Sequence, residues 1–329
     1  MAAESGQAGE VVIEFRDMTR NVMAREKVLY DGHALAAVAA ASKAIANQAL
    51  KLIKVKYKVL PHVINVVDAM KADAPILHED QFTLGVEPRP KKPSNIALRM
   101  QSKLGDIEKG FNEADIVIDR EYNTNAAHQG YIEPQACIAN YSDSGFVELW
   151  TSTQGHFAIR AQTAKLLNMD MSNLKVIPAE LGGGFGGKNN VYLEPVAIAL
   201  SRKSKCPVKM AMTRDEVFRA TGPTSGTNCK VKIGATKDGK ITAAQAELNY
   251  QAGAFAGSPL PLATITVFTR YDIENVEVVG HDVTCNRPKV VPYRAPGAPM
   301  IAFGVEQVID ELAEELGMDS LDFRLKNAA

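Results

Sequence analysis

The sequence predicts an α+β protein of two unequal domains. Strand-length apolar runs and helical runs are interspersed without a regular βα period. A rigid, punctuated stretch, Val86-Glu87-Pro88-Arg89-Pro90 through Pro93-Ser94-Asn95, separates a short first part from a longer second. No self-similarity recurs at periods of about 20–50 residues, which excludes a solenoid. The expected organisation is a partial domain over 1–88, a linker over 89–104 and a large domain over 105–329.

The first 22 or so residues carry few apolar positions in register. Val28–Tyr30 reads as a short strand closed by Asp31-Gly32, and Leu35–Ala40 as a second strand or the entrance to a helix. Alanines and Ile45 at helical spacing give that helix from Ser42 to about Leu50. Leu52-Ile53-Lys54-Val55-Lys56-Tyr57-Lys58-Val59 alternates as a half-buried strand does, and Leu60-Pro61 ends it because proline cannot sustain a ladder. Asn65–Met70 reads as a short helix. Beyond the linker, Asp106–Glu113 is a helix and Ala114–Tyr122 the first strand of the larger domain. Cys137–Tyr141 and Gly145–Thr151 are strands around the turn Ser142-Asp143-Ser144. Phe157–Leu167 is a helix, Val176–Pro178 a strand, Leu193–Leu200 a buried helix and Val208–Met212 a strand. Val231–Ile233, Thr242–Tyr250 and Val276–Val278 add strands, and Met300–Leu316 is the clearest amphipathic helix.

Composition sets limits on function. Among 329 residues, 37 Lys and Arg against 38 acidic residues leave a net charge of −1, which gives no argument for nucleic acid or an anionic membrane as partner. Glu4 and Glu10 interrupt any apolar leader, no window has the length and purity of a membrane span, and the cytoplasm is the expected location. The cysteines Cys137, Cys206, Cys229 and Cys285 form no CxxC pair, so clusters or zinc built from them are not expected. The histidines at 33, 62, 78, 128, 156 and 281 show no metal-ligand spacing, and no metal is expected to be held by side chains.

The strongest local signal is Gly182-Gly183-Gly184-Phe185-Gly186-Gly187-Lys188. Five glycines around one phenylalanine are costly in chain entropy, and make sense where backbone must approach a ligand or adopt conformations other residues avoid. Successive amides there form a concave donor surface for an anion or an oxo group, with Phe185 as a lid or wedge. A P-loop is the first rival, but Asn189 stands where the magnesium-binding Ser or Thr belongs. A dinucleotide fingerprint is the second, without a βαβ start around it; a tight connection without a ligand is the third. Gln154, within Thr151-Ser152-Thr153-Gln154-Gly155, is either an ordinary surface or capping residue or an amide donor at a strand end. Arg294, in Pro292-Tyr293-Arg294-Ala295-Pro296-Gly297-Ala298-Pro299, either meets solvent or a structural ion pair or clamps a phosphate or carboxylate.

Taken in order, these segments resemble the molybdopterin-binding chain of the xanthine dehydrogenase and aldehyde oxidoreductase family of molybdenum hydroxylases. Tyr30-Asp31-Gly32-His33 through Tyr57-Lys58-Val59-Leu60-Pro61 looks like its α/β hammerhead domain, here truncated. Gly105-Asp106-Ile107, Phe111, Ala114-Asp115 and Glu133-Pro134-Gln135-Ala136 look like the opening of its first molybdopterin-binding domain. Thr153-Gln154 followed by Gly182–Lys188 is the most specific pair, joined by Tyr293-Arg294-Ala295-Pro296-Gly297, the helix with Glu306 and Asp310, Leu316-Gly317-Met318-Asp319, and Arg324-Leu325-Lys326-Asn327. The resemblance implies cofactor contacts from Gln154, Gly184, Phe185, Gly186, Gly187, Arg294 and Ala295. Gln154, Phe185 and Arg294 are then closest to the chemistry, with Arg294 anchoring an anionic ring. It further implies molybdopterin, in its cytosine dinucleotide form, carrying molybdenum with a sulfido or selenido ligand.

Departures narrow the expectation. Asn189 stands where xanthine-oxidising members carry a substrate-contacting glutamate, and Ala295-Pro296 replaces their Gly-Phe. Family large chains continue through a second cofactor domain with the glutamate base, where this sequence stops at Ala329. Either a fragment or a subunit of a split enzyme is therefore expected, the latter as in some bacterial nicotinate dehydrogenases. The implied reaction takes nicotinate to 6-hydroxynicotinate with water as oxygen source. Electrons would pass through [2Fe–2S] and FAD subunits to NAD or NADP, a second molybdopterin subunit would supply the base, and the chain alone would be inactive. The alternatives are a xanthine or aldehyde dehydrogenase subunit and a non-catalytic cofactor-holding or assembly subunit.

Overall fold

A computed structural model of the chain describes residues 14–329; the leader reading at Glu4 and Glu10 lies outside them. The architecture rests on two sheets. The larger has the order β1-β9-β8-β7-β2, built from β1 (Ile96–Leu104), β2 (Ile116–Thr124), β7 (Thr227–Ala235), β8 (Ile241–Gly253) and β9 (Val276–Thr284). All its neighbours are antiparallel except β8 and β9. The smaller has the order β5-β4-β3-β6, built from β3 (Ala136–Tyr141), β4 (Val147–Thr151), β5 (Leu174–Pro178) and β6 (Val208–Ala211), with β4 and β5 parallel.

Alternation explains why the large sheet has an inside. Val231 and Ile233 of β7 and Ala244, Ala246 and Leu248 of β8 are fully or almost fully buried. They share one core with Val305, Val308, Ile309 and Leu312 at helical spacing on α9 (Ala298–Glu315). Leu260 and Ala263 of α8 (Leu260–Thr266) complete it. The smaller sheet buries Val147 and Leu149 with Ile159 of α5 (His156–Leu166) and Ala197 and Ile198 of α6 (Glu194–Ser204). The β4–α5–β5 crossover is a βαβ unit that the sequence reading missed. The glycine run leaves β5, and α6 begins only at Glu194, so the helix start that a dinucleotide fingerprint requires is lacking.

The first part of the chain differs more from expectation. Helix α1 (Phe15–Val22) escaped the apolar pattern because its buried positions are polar, Asp17 and Asn21, the latter accepting from the Tyr30 hydroxyl at 3.1 Å. Helices α2 (Lys43–Leu52) and α3 (Val66–Ala69) form where expected, each begun by a side-chain cap, Ser42 and Asn65. Val28–Tyr30 and Leu35–Ala40 form no strand; Leu29 and Tyr30 instead pack with Ala254 and Phe255. Leu52–Val59 is likewise no strand: every residue is exposed, and among the described residues no neighbouring strand pairs with it. Alternation makes a strand only where another strand supplies its hydrogen bonds.

Residues 89–95 run without regular structure, whereas 96–104, expected as linker, are the edge strand β1. Helix α4 (Ile107–Asn112) is capped by Asp106, and α7 (Arg214–Ala220), unforeseen, carries a full capping box from Thr213 and Glu216. Helix α10 (Ser320–Lys326), also unforeseen, leads to Asn327, which is buried. Its Oδ1 accepts from Ile241 N–H at 2.8 Å, and its Nδ2 donates to Gly239 O at 2.8 Å and Phe323 O at 2.9 Å. Asn327→Ala orphans these groups and is expected to cost about 3 kcal/mol in urea unfolding.

Candidate cofactor site

The site begins where β4 ends. Thr151 Oγ1 donates to Glu194 Oε1 at 2.7 Å, fixing the strand end to α6. Two residues on, Thr153 Oγ1 and the Gln154 N–H both donate to Lys188 O, each at 3.0 Å. The Gln154 side chain then turns to the glycine run. Its Oε1 accepts from Gly186 N–H at 2.9 Å and Lys188 N–H at 3.1 Å. A Cβ at Gly184 would stand 2.5 Å from that same oxygen, so a side chain there would push the glutamine amide off its two N–H donors. Gly186, at φ +103°, lies where a Cβ would meet Pro292 O at 2.5 Å. Gly187 N–H closes a turn onto Gly184 O at 2.7 Å.

The arginine loop joins the same place. Arg294 N–H donates to Phe185 O at 3.0 Å, and Gln129 Nε2 donates to Pro292 O at 2.9 Å. Phe185 (φ +52°) and Ala295 (φ +63°) both hold left-handed backbone, which side-chain-bearing residues keep only under local constraint. Phe185 is 49% exposed. Arg294 and Ala295 are exposed too, and the Arg294 guanidinium makes no hydrogen bond or ion pair among the described residues. Thus Gln154, Gly184, Phe185, Gly186, Gly187, Arg294 and Ala295, far apart in sequence, meet across three loops.

Beneath these loops lies a polar layer that sequence reasoning missed. Lys188 is 1% exposed, and its Nζ donates to Glu133 Oε2 at 2.6 Å and lies 5.0 Å from the Tyr131 ring centroid. Burial lowers the Lys188 pKa, and Glu133 opposes the shift. An ammonium so engaged does not reach outward for a phosphate, which disposes of the P-loop rival. Tyr131 OH is within 3.1 Å of Thr221 Oγ1 and accepts from Gln135 Nε2 at 3.1 Å. The available signal was the close spacing of Gln129, Tyr131, Glu133 and Gln135 before a strand.

His128 completes this layer. Nδ1 accepts from Gly130 N–H at 3.0 Å and Nε2 pairs with Thr221 Oγ1 at 2.8 Å, an arrangement that requires the neutral ring. Burial, with Arg214 adding to it, pushes its pKa from 6.5 down to about 4.

The residues present fit a group held through its own oxygen atoms. The N–H groups of Gly183, Gly184 and Phe185 and the Gln154 Nε2 have no acceptor among the described residues. Gln129 Oε1 and Asn190 Nδ2 are buried without a partner. The free N–H groups suit oxo and phosphate oxygens, whereas Gln129 Oε1 is an acceptor and would take a donor. No group of three or more His, Cys, Asp or Glu among the described residues stands ready to ligate a metal, and the four cysteines are free, Cys206 exposed and the others buried. A cavity of about 530 Å³ lies elsewhere, against α1. Volume and chemistry disagree here, and the free donors decide for the glycine loop. Of the cations lining that cavity, Arg16, Arg20 and Lys27 are already paired with Asp17, Asp80 and Glu79, and Arg25 is exposed.

Comparison with known proteins agrees with that chemistry. The model of the molybdopterin cofactor-binding domain matches residues 88–328. That of the aldehyde oxidase and xanthine dehydrogenase a/b hammerhead domain matches residues 2–61. The chain belongs to the molybdenum hydroxylase family of xanthine oxidase and aldehyde oxidoreductase, a family of molybdopterin-dependent oxidoreductases, with the α+β fold that the two models define.

Within the family, it is 31% identical to the nicotinate dehydrogenase large molybdopterin subunit of Eubacterium barkeri, over 92% of this chain and 69% of that one. It is equally 31% identical to a probable hypoxanthine oxidase of Escherichia coli O157:H7, over 92% of this chain but 34% of that one. Among solved structures, CO dehydrogenase from Oligotropha carboxidovorans superposes with a TM-score of 0.84 at 26% identity, over 99% of this chain and 44% of the other. The chain therefore spans about a third to two thirds of the length of these relatives.

Two measurements test the site. The unfolded chain protonates its histidine as pH falls through 6.5, whereas folded His128 resists until about 4, so stability drops across that window. Urea unfolding at pH 4.5 and 7 is expected to differ by a component of about 2 kcal/mol that His128→Gln removes. Gly184→Ala, which pushes against Gln154 Oε1, is expected to lower bound molybdenum at least about fivefold, by metal analysis, with the circular dichroism spectrum unchanged.

Proposed function

We propose that this chain is the molybdopterin-holding part of a hydroxylase that inserts oxygen from water into an electron-poor ring or aldehyde carbon, working in the cytoplasm. The observation that carries the reading is the convergence of the Gln154 amide, the free amides of Gly183–Phe185 and the unpaired Arg294 on one cradle. A bound pterin-held molybdenum, in the cytosine dinucleotide form and with a sulfido or selenido ligand, would supply two-electron oxidation there. Gln154 Nε2 and the Gly183–Phe185 amides donate to its oxygen atoms, and Gly186 keeps backbone rather than side chain at the approach. Phe185, half exposed, shapes the pocket wall, and Arg294 orients an anionic substrate.

The substrate is drawn more broadly than the sequence suggested. The relatives are named for hypoxanthine, nicotinate and xanthine, and the solved structures for CO, quinoline and aldehyde. That spread supports a hydroxylase of the xanthine or aldehyde type better than nicotinate alone. Asn189, which stands where xanthine-oxidising members carry a substrate-contacting glutamate, donates to Gly186 O at 3.2 Å and so belongs to the loop's own wall. A second molybdopterin subunit with a glutamate base, a [2Fe–2S] subunit and an FAD subunit leading to NAD or NADP complete the proposed enzyme.

Molybdenum analysis of the complex purified anaerobically from its source is expected to give about one metal per copy of this chain; absence of molybdenum from a matured complex sinks the reading. On a panel of aldehydes, purines and nicotinate, Gln154→Leu is expected to lower kcat/KM by about a hundredfold or more on whichever substrate turns over, because the anchor of the Gly186 and Lys188 amides and a donor to a charge-bearing oxygen are lost together. Arg294→Met raises KM only for anionic members of the panel.

A further inference from the structure

The two ends of the glycine loop are tied to one atom. Glu133 Oε2 accepts the Gly182 N–H at 2.9 Å, at the loop's start, and the Lys188 Nζ at 2.6 Å, at its end. Glu133 N–H in turn donates to Gly182 O at 3.1 Å, so strand-side backbone and loop are stitched both ways. A Cβ at Gly182 would stand 2.7 Å from Glu133 Cβ, so the missing side chain there is what lets Glu133 approach the loop this closely. The Lys188 side chain is fully buried, whereas that of Glu133 is about a third exposed, so the carboxylate is the accessible half of the pair. Neither residue donates to the open side of the cradle.

We infer that Glu133 and Lys188 form a positioning latch that closes residues 182–188 into a ring and thereby holds the Gly183–Phe185 amides outward, governing how firmly an oxygen-rich cofactor is retained. At its far end the ring is fastened three ways: Gln154 Oε1 holds the Gly186 and Lys188 amides, Thr153 Oγ1 and the Gln154 N–H hold Lys188 O, and Glu133 holds the Lys188 ammonium. Releasing the ammonium leaves a buried charge without its partner while Thr153 and Gln154 still hold Lys188 O, so the side chain shifts and the loop end strains against the grip of Gln154 Oε1 on both amides. Oxygen atoms on the cofactor then meet a disordered set of donors and lose the advantage of fixed geometry. The cofactor-retention half of this inference rests on the proposed function; the latch itself rests on the loop alone.

The test uses the full chain and three variants, Glu133→Gln, Lys188→Met and the charge-keeping Lys188→Arg. Hydrogen exchange is read at the Gly186 and Lys188 amides, whose acceptor is Gln154 and not the mutated pair. Glu133→Gln and Lys188→Met are expected to speed exchange there at least about tenfold, with core amides of β7 and β8 unchanged, and Lys188→Arg to restore much of the protection. In the anaerobically purified complex, the same two variants are expected to lose molybdenum during desalting at least about tenfold faster, before any loss of activity per bound metal.

Unchanged exchange at both amides in Glu133→Gln overturns the latch, and so does a loss of protection spread evenly through the core, which marks a merely structural ion pair. If Lys188→Met does not fold, Glu133→Gln, which is isosteric but removes the negative charge that holds the buried ammonium, decides alone. A wild-type complex without molybdenum removes the hydroxylase reading and leaves the exchange measurement to judge the latch.

Discussion

The site depends on one carboxamide oxygen. Gln154 Oε1 takes two backbone N–H groups from a loop that has almost no side chains of its own to hold it. A glycine-rich segment loses more conformational freedom on ordering than any other, so it needs such an anchor. The anchor is placed by β4, whose exit is pinned to α6 through Thr151 and Glu194 and to Lys188 through Thr153. The smaller sheet thus positions the glutamine, and the glutamine positions the loop. Arg294 follows, because its own N–H is satisfied by Phe185 O.

Much of the larger domain was legible in the sequence because its burial follows simple periods. The run through β8 and the stripe of α9 are core-facing at spacings of two and of about three and a half residues, and both were readable. The shorter elements were not. Helix α7 has a single buried residue, Val217, so its signal lay in the capping box and not in any apolar pattern. Helix α1 buries Asp17 and Asn21, which inverts the usual cue. The β4–α5–β5 crossover was hidden because pairing between strands is not written in either strand alone.

The candidate site was legible where chemistry shows in composition and opaque where it depends on approach. The five-glycine run and the arginine between prolines stand out in any reading of the chain. That Glu133, some fifty positions earlier, closes the loop from below does not. Its carboxylate is recognisable as a partner only once the fold brings it to Gly182 and Lys188. The same holds for Gln129, whose side chain ties the arginine loop at Pro292 while its oxygen is left buried and unpaired.

The extended segment 53–59 carries its own safeguard. Ile53, Val55, Tyr57 and Val59 are exposed, from 42% to 83%, on a stretch whose backbone pairs with no strand among the described residues. An exposed alternating run of this kind invites copies of the chain to add to one another edge to edge. Lys54, Lys56 and Lys58 fall at every second position between them, so two such runs laid side by side bring like charges into register. Repulsion between lysine ladders works as a gatekeeper against self-association. It is a deterrent made of surface charge, and added salt weakens it before it weakens the fold.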